Sequence, residues 1–148
     1  SFLNSKPVLI RNPLAIRPWQ HVLECLSGYL HLAEKLFESR DFVGPWNFGP
    51  SMSDVQPVQY IAEHLQKLWG PQAELKMGQP DSSAVHEAHT LKLDTTKARS
   101  YLGWSPRWSL NQALEATSDW FKAYKNQENM RTWTENQIGQ YFSKENSL

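Results

Sequence analysis

The sequence predicts an α/β domain. Short apolar runs alternate with longer stretches of helical period, and turns containing Gly or Pro separate them. The chain has 148 residues, enough for one self-sufficient core. Hydrophobic residues make up 40% of it, with seven Trp, six Phe and five Tyr. A disordered chain lacks the apolar residues needed to offset the entropy of ordering, so this composition is globular.

Val8, Leu9 and Ile10, between Pro7 and Asn12-Pro13, predict a first short strand. From His21 onward, Val22, Leu23, Leu26, Tyr29, Leu30, Ala33, Leu36 and Phe37 recur at spacings of three and four. That spacing predicts an amphipathic helix over 21–37. Gly28 within it costs about 1 kcal/mol against Ala, which implies a neighbour passing close by. Residues 42–48 predict a second strand, ended by Gly49-Pro50. Pro57 suits the first turn of a helix carrying Val58, Ile61, Leu65, Leu68 and Trp69, and Gly70-Pro71 stops it. Residues 73–77 and 90–93 are further strand candidates. Asp94 or Thr95 caps a short helix that ends at Gly103. Ser109 with Gln112, and Thr134 with Gln137, match the capping-box pattern. The first opens a helix with Leu110, Ala113, Leu114, Thr117, Phe121 and Tyr124 on one face; the second opens a short helix with Ile138, Tyr141 and Phe142. The expectation is short strands plus about five helices, with no repeats.

Fifteen Lys and Arg balance fifteen Asp and Glu. A nucleic acid or an anionic membrane as main partner needs a basic excess, so neither is expected. The single cysteine, Cys25, excludes an internal disulfide and is expected to be a core thiol in a reducing, cytoplasmic setting. No apolar run approaches the roughly 20 residues that span a bilayer. The first residues lack the charged start and apolar core of a signal peptide. The sequence does not open with Met, which fits a stretch of a longer gene product.

A dinucleotide-binding turn needs closely spaced glycines so that backbone amides can approach pyrophosphate. The nearest glycines here, Gly44 and Gly49, are five residues apart, so neither that turn nor a P-loop is present. No Tyr is followed four residues later by Lys, and no Gly-x-Ser-x-Gly turn occurs. His86-Glu87-Ala88-His89 lacks both a helical pattern and the spacing of a zinc-protease motif, so structural or surface histidines are expected there and no metal. Trp104-Ser105-Pro106-Arg107-Trp108 joins two helices and is expected to pack in the core rather than stack a ligand.

Residues 11–22 place Arg11, Asn12, Arg17, Trp19 and His21 in a loop leading into a helix, with Pro13 and Pro18 fixing the backbone. Two readings fit. Arg17 offers a planar fork able to grip a diphosphate in two places. Alternatively, Arg17 pairs with a surface carboxylate and Trp19 simply packs.

These motifs carry a resemblance. Ile16-Arg17-Pro18-Trp19-Gln20-His21-Val22 before a helix resembles the Arg-x-aromatic-x-x-Val signature of the extended short-chain dehydrogenase/reductases. Trp46-Asn47-Phe48-Gly49-Pro50 resembles their last core strand. Leu93-Asp94-Thr95-Thr96-Lys97-Ala98, then Leu102-Gly103-Trp104-Ser105-Pro106 and Ser109-Leu110, resemble their closing motif. The wording of the first motif, with His86-Glu87-Ala88-His89, is closest to the branch of CDP-hexose 4,6-dehydratases. The resemblance covers roughly residues 3–142.

The resemblance implies that residues 1–148 form a single C-terminal, substrate-binding lobe, without the N-terminal Rossmann core. Residues 21–48 would complete the Rossmann layer of the longer enzyme. NAD and the catalytic residues would belong to that missing part, so this chain alone is expected to bind no NAD and catalyse nothing. Its own partner would be a CDP-sugar. Arg17 would grip the diphosphate, with Trp19, His21 and Asn12 shaping the nucleotide pocket. Many relatives carry a second Arg where this sequence has Ala84, and His86 would substitute for it. An unpaired strand edge at 43–50 would favour homo-oligomers or strand exchange. A freestanding nucleotide-sugar-binding or interaction module, or the same lobe from another epimerase or dehydratase, are the alternatives.

Overall fold

The structure, a computed structural model, describes residues 1–78 and 88–143. Among these, four strands and five α-helices are present, and no helix is long and apolar enough to cross a membrane.

β1 (Val8–Ile10) forms where three apolar residues follow Pro7, and it pairs in parallel with β4 (Leu75–Met77) in the register Val8↔Leu75, Ile10↔Met77. α2 (Val58–Trp69) lies between them in the chain and packs against both. Pro57 is the residue before this helix rather than its first, and Gly70, at φ +101°, ends it. β2 (Ile16–Arg17) runs antiparallel to β3 (Gln56–Pro57). On its other side the Ile16 amide donates to the His89 carbonyl at 2.8 Å, and the Leu91 amide donates to the Ile16 carbonyl at 3.0 Å. The strand expected over 90–93 reduces to this single bridge at Thr90.

α1 (Val22–Glu38) fulfils the helical period, but the side it buries is unexpected. Its buried residues are Glu24 and Gly28, while Val22, Leu26, Tyr29, Leu30 and Phe37 are exposed, Phe37 to 95%. Gly28 does meet a close neighbour: a Cβ there would overlap the Phe48 ring.

The strand expected over 42–48 is absent. Arg40–Phe42 make a 3-10 turn, Gly44 takes φ +137°, and Pro45 offers no amide to a ladder. Side chains hold the segment instead: Trp46 Nε1 donates to the Phe42 carbonyl, Lys97 Nζ to the Pro45 carbonyl, and Asn47 Nδ2 to the Asp94 carbonyl. Phe48 then joins Ala98, Leu102 and Trp104 in one core cluster.

α3 (Thr96–Leu102) is capped by Asp94, whose Oδ1 accepts from the Thr96 amide at 2.8 Å. The left-handed Gly103 lets the Trp104 amide reach back to the Ala98 carbonyl. α4 (Leu110–Lys125) opens on the expected capping box, with both Ser109–Gln112 bonds made. Its Leu110 and Leu114 pack on Ile61 in a second cluster. α5 (Met130–Ser143) starts four residues before the expected cap. Asn129 Oδ1 accepts from the Thr132 amide, whereas Thr134 lies inside the helix and donates its hydroxyl to the Met130 carbonyl. Gln137 reaches not back to a cap but across to the Ala116 carbonyl on α4.

Candidate functional site

The loop from Asn12 to His21 is tied down at nearly every residue. The Ala15 amide donates to the Asn12 carbonyl, and the carbonyls of Pro13 and Ala15 accept from the Gln59 and Val58 amides. The first amides of α2 are therefore spent on this loop, and the loop is clamped to a rigid element.

Arg17 follows in β2. Its Nη1 donates to its neighbour's carbonyl, Ile16, at 2.8 Å and to the Ala88 carbonyl at 3.0 Å. The guanidinium thus sits at a fixed place between β2 and the segment that begins at residue 88. Such a planar, permanently charged group held at a loop surface is suited to a bidentate anion. Asn12 is exposed on the same loop.

Trp19 and His21 face the other way. Trp19 packs on the Ile61, Leu110 and Leu114 cluster, and its Nε1 donates to the Gln56 carbonyl at 3.2 Å, which locks β3 alongside β2. His21 is buried and caps α1, its Nδ1 accepting from the Leu23 amide at 3.3 Å. Burial lowers the His21 pKa below its ordinary value, and the accepting Nδ1 fits the neutral ring. The His21 ring meets Trp108 edge-on, with centroids 5.0 Å apart. His86, with Ala84 and Glu87, lies outside the described residues.

Two partners escaped the sequence. The Ala88 carbonyl that holds Arg17 carries no side-chain signal at all. Gln20 bridges from the loop to the Phe48 carbonyl at 2.9 Å and to Cys25 Sγ. Cys25 is half-buried rather than a core thiol, and its pKa is raised by burial and then by the Glu24 charge. Trp104 and Trp108 are core residues, as expected. Among the described residues no three His, Cys, Asp or Glu side chains gather into a metal-holding group.

No protein-family model matches the chain. Among curated proteins it is 44% identical, over 144 residues and 97% of its length, to the CDP-glucose 4,6-dehydratase of Salmonella typhimurium. By sequence the chain is therefore similar to part of a nucleotide-sugar dehydratase. It is also 30% and 29% identical, over 102 residues, to UDP-glucuronic acid decarboxylases 2 and 4 of Arabidopsis thaliana. The chain spans 40% of the length of the dehydratase and 20% of each decarboxylase. Its helices and short strands fit the α/β lobe that the Arg17 motif led us to expect.

Proposed function

We infer that the chain is the C-terminal, sugar-nucleotide-binding part of an NAD-dependent CDP-glucose 4,6-dehydratase. The observation that carries this is the 44% identity across 97% of the chain, which includes the loop that presents Arg17. In the whole enzyme the product would be CDP-4-keto-6-deoxyglucose. NAD, bound by polypeptide outside these residues, would supply the hydride acceptor and donor. The residues of this chain bind and orient. Arg17 grips the diphosphate, and Asn12, exposed on the same loop, helps to shape the nucleotide pocket. Trp19 and His21 act from beneath, by fixing the loop's shape. The chain alone binds no NAD and turns over no substrate, and the enzyme works in the cytoplasm.

The apolar face of α1 has a place in this reading. Residues 21–48 pack against the cofactor-binding part and complete its layered sheet. One observation supports this: the exposed stripe from Val22 to Phe37 has the period of a face that packs.

The test is Arg17→Ala in the longer polypeptide that carries these residues. Losing a charged hydrogen bond should weaken CDP-glucose binding by about 1.5–3 kcal/mol. An unchanged dissociation constant would remove Arg17 from the site. Calorimetric titration of the chain alone with NAD should show no heat of binding, and micromolar affinity would overturn the division of labour.

A further inference from the structure

Burying a carboxylate is costly unless hydrogen bonds replace its water. Glu24, in the first turn of α1, is 1% exposed. It accepts from the Arg107 amide at 3.1 Å, the Trp108 amide at 2.8 Å and the Tyr141 hydroxyl at 2.7 Å. The Tyr141 hydroxyl also lies 2.9 Å from Ser27 Oγ, one turn further along α1, and Ser27 Oγ accepts from Trp104 Nε1. The rings continue the contact: Tyr141 meets Trp108 edge-on at 5.1 Å, and Trp108 meets His21. Tyr141 and Gln137 are the two buried residues of α5. A helix at the far end of the sequence is therefore fastened, through one phenol, to the turn that follows the Arg17 loop.

We propose that Tyr141 is a positioning residue for the sugar-nucleotide site, holding the first turn of α1, and with it the Arg17–His21 loop, through the Glu24 carboxylate. This rests on the reading of Arg17 as the diphosphate ligand. The chain of contacts is short. Glu24 fixes the turn that His21 caps, and three residues of Pro-stiffened backbone separate His21 from Arg17. Burial, first of all, keeps the Tyr141 hydroxyl protonated far above neutral pH, so it remains a donor to Glu24. Coupling of this kind is reciprocal: if α5 orders the loop, a ligand on the loop must stabilise α5.

Two measurements on the longer polypeptide test it. In the first, Tyr141→Phe keeps the ring and removes the hydroxyl. Its affinity for CDP-glucose should fall about tenfold, with kcat little changed, and amide hydrogen exchange should quicken at residues 22–25. In the second, CDP-glucose added to the unaltered protein should slow exchange across 137–143, which needs no variant to fold. Unchanged affinity, unchanged exchange at 22–25, or no protection of α5 by bound ligand would each overturn the positioning role. If the unaltered protein binds no CDP-glucose, the reading of Arg17 fails and the positioning role falls with it. Faster exchange at 22–25 in Tyr141→Phe would then still mark the fastening itself as real.

Discussion

His21 shows how one residue can invite a functional reading and serve a structural one. Its imidazole accepts the Leu23 amide and lies buried against Trp108. Protonation at Nδ1 would remove the acceptor and place a charge out of reach of water. Because burial lowers its pKa, the unfolded chain takes up the proton first as pH falls. The stabilisation is therefore complete above the ordinary value of 6.5 and declines below it, until the folded protein protonates too. Denaturation midpoints should drop between about pH 7 and pH 5, and His21→Asn, which can still cap, should flatten that drop. A midpoint that stays level in the unaltered chain would contradict this. Asp94 acts in a separate window: its bonds from Thr96 lower its pKa, so its contribution is lost only below 3.8. The sequence marks Arg17 as a guanidinium in a proline-bounded loop, which fits a diphosphate ligand or a surface ion pair equally, and the resemblance supplies the first reading. Sequence alone could not separate Arg17 from Trp19 and His21, because a loop has no fixed side-chain period, and only tertiary packing says which side chains turn to the core. Glu24 was equally invisible, since a carboxylate in a first helical turn is ordinary until three donors converge on it.

At the scale of elements, local signals are legible in the sequence and pairing signals are not. The Ser109–Gln112 box is a self-contained motif, and Ser109→Ala should cost about 1 kcal/mol in a denaturant titration. Thr134 and Gln137 have the same spacing, but residues three apart are also plain neighbours on a helix. The cap in use is Asn129, so Asn129→Ala should destabilise α5, with no capping loss in Thr134→Ala beyond its bond from Trp120. The 42–48 segment misled for a different reason. Its aromatic residues have strand propensity, but a strand exists only with a partner, and no partner is coded locally. What the sequence did give there was Gly28, whose close neighbour proved to be Phe48. Gly28→Ala would raise helix propensity by about 1 kcal/mol. The collision with Phe48 should still make the variant less stable overall, since overpacking costs about 1–3 kcal/mol. A variant of higher melting temperature would refute the close packing of α1 on Phe48.

At the scale of the whole molecule, the apolar face of α1 dominates. Val22, Leu26, Leu30 and Phe37 are a stripe without a covering layer among the described residues. Such a surface favours association. The isolated chain should self-associate in sedimentation velocity, by this helix face rather than by a strand edge at 43–50. Leu30→Glu with Phe37→Glu should return it to a monomer; association that survives both changes would point to another surface. The fold class and the five helices were legible because period and caps are local. The exposure of α1 was not, because a sequence declares that a face is apolar without declaring what covers it. The central claim is narrower than this architecture: the loop at Arg17 holds the diphosphate of a sugar nucleotide. The most direct measurement is a titration of the isotope-labelled longer polypeptide with CDP-glucose, followed by nuclear magnetic resonance. Shifts should concentrate on the Arg17 guanidinium and on amides of residues 16–19 and 88–91, and vanish in Arg17→Ala. Saturable binding that leaves those signals unmoved would contradict the account.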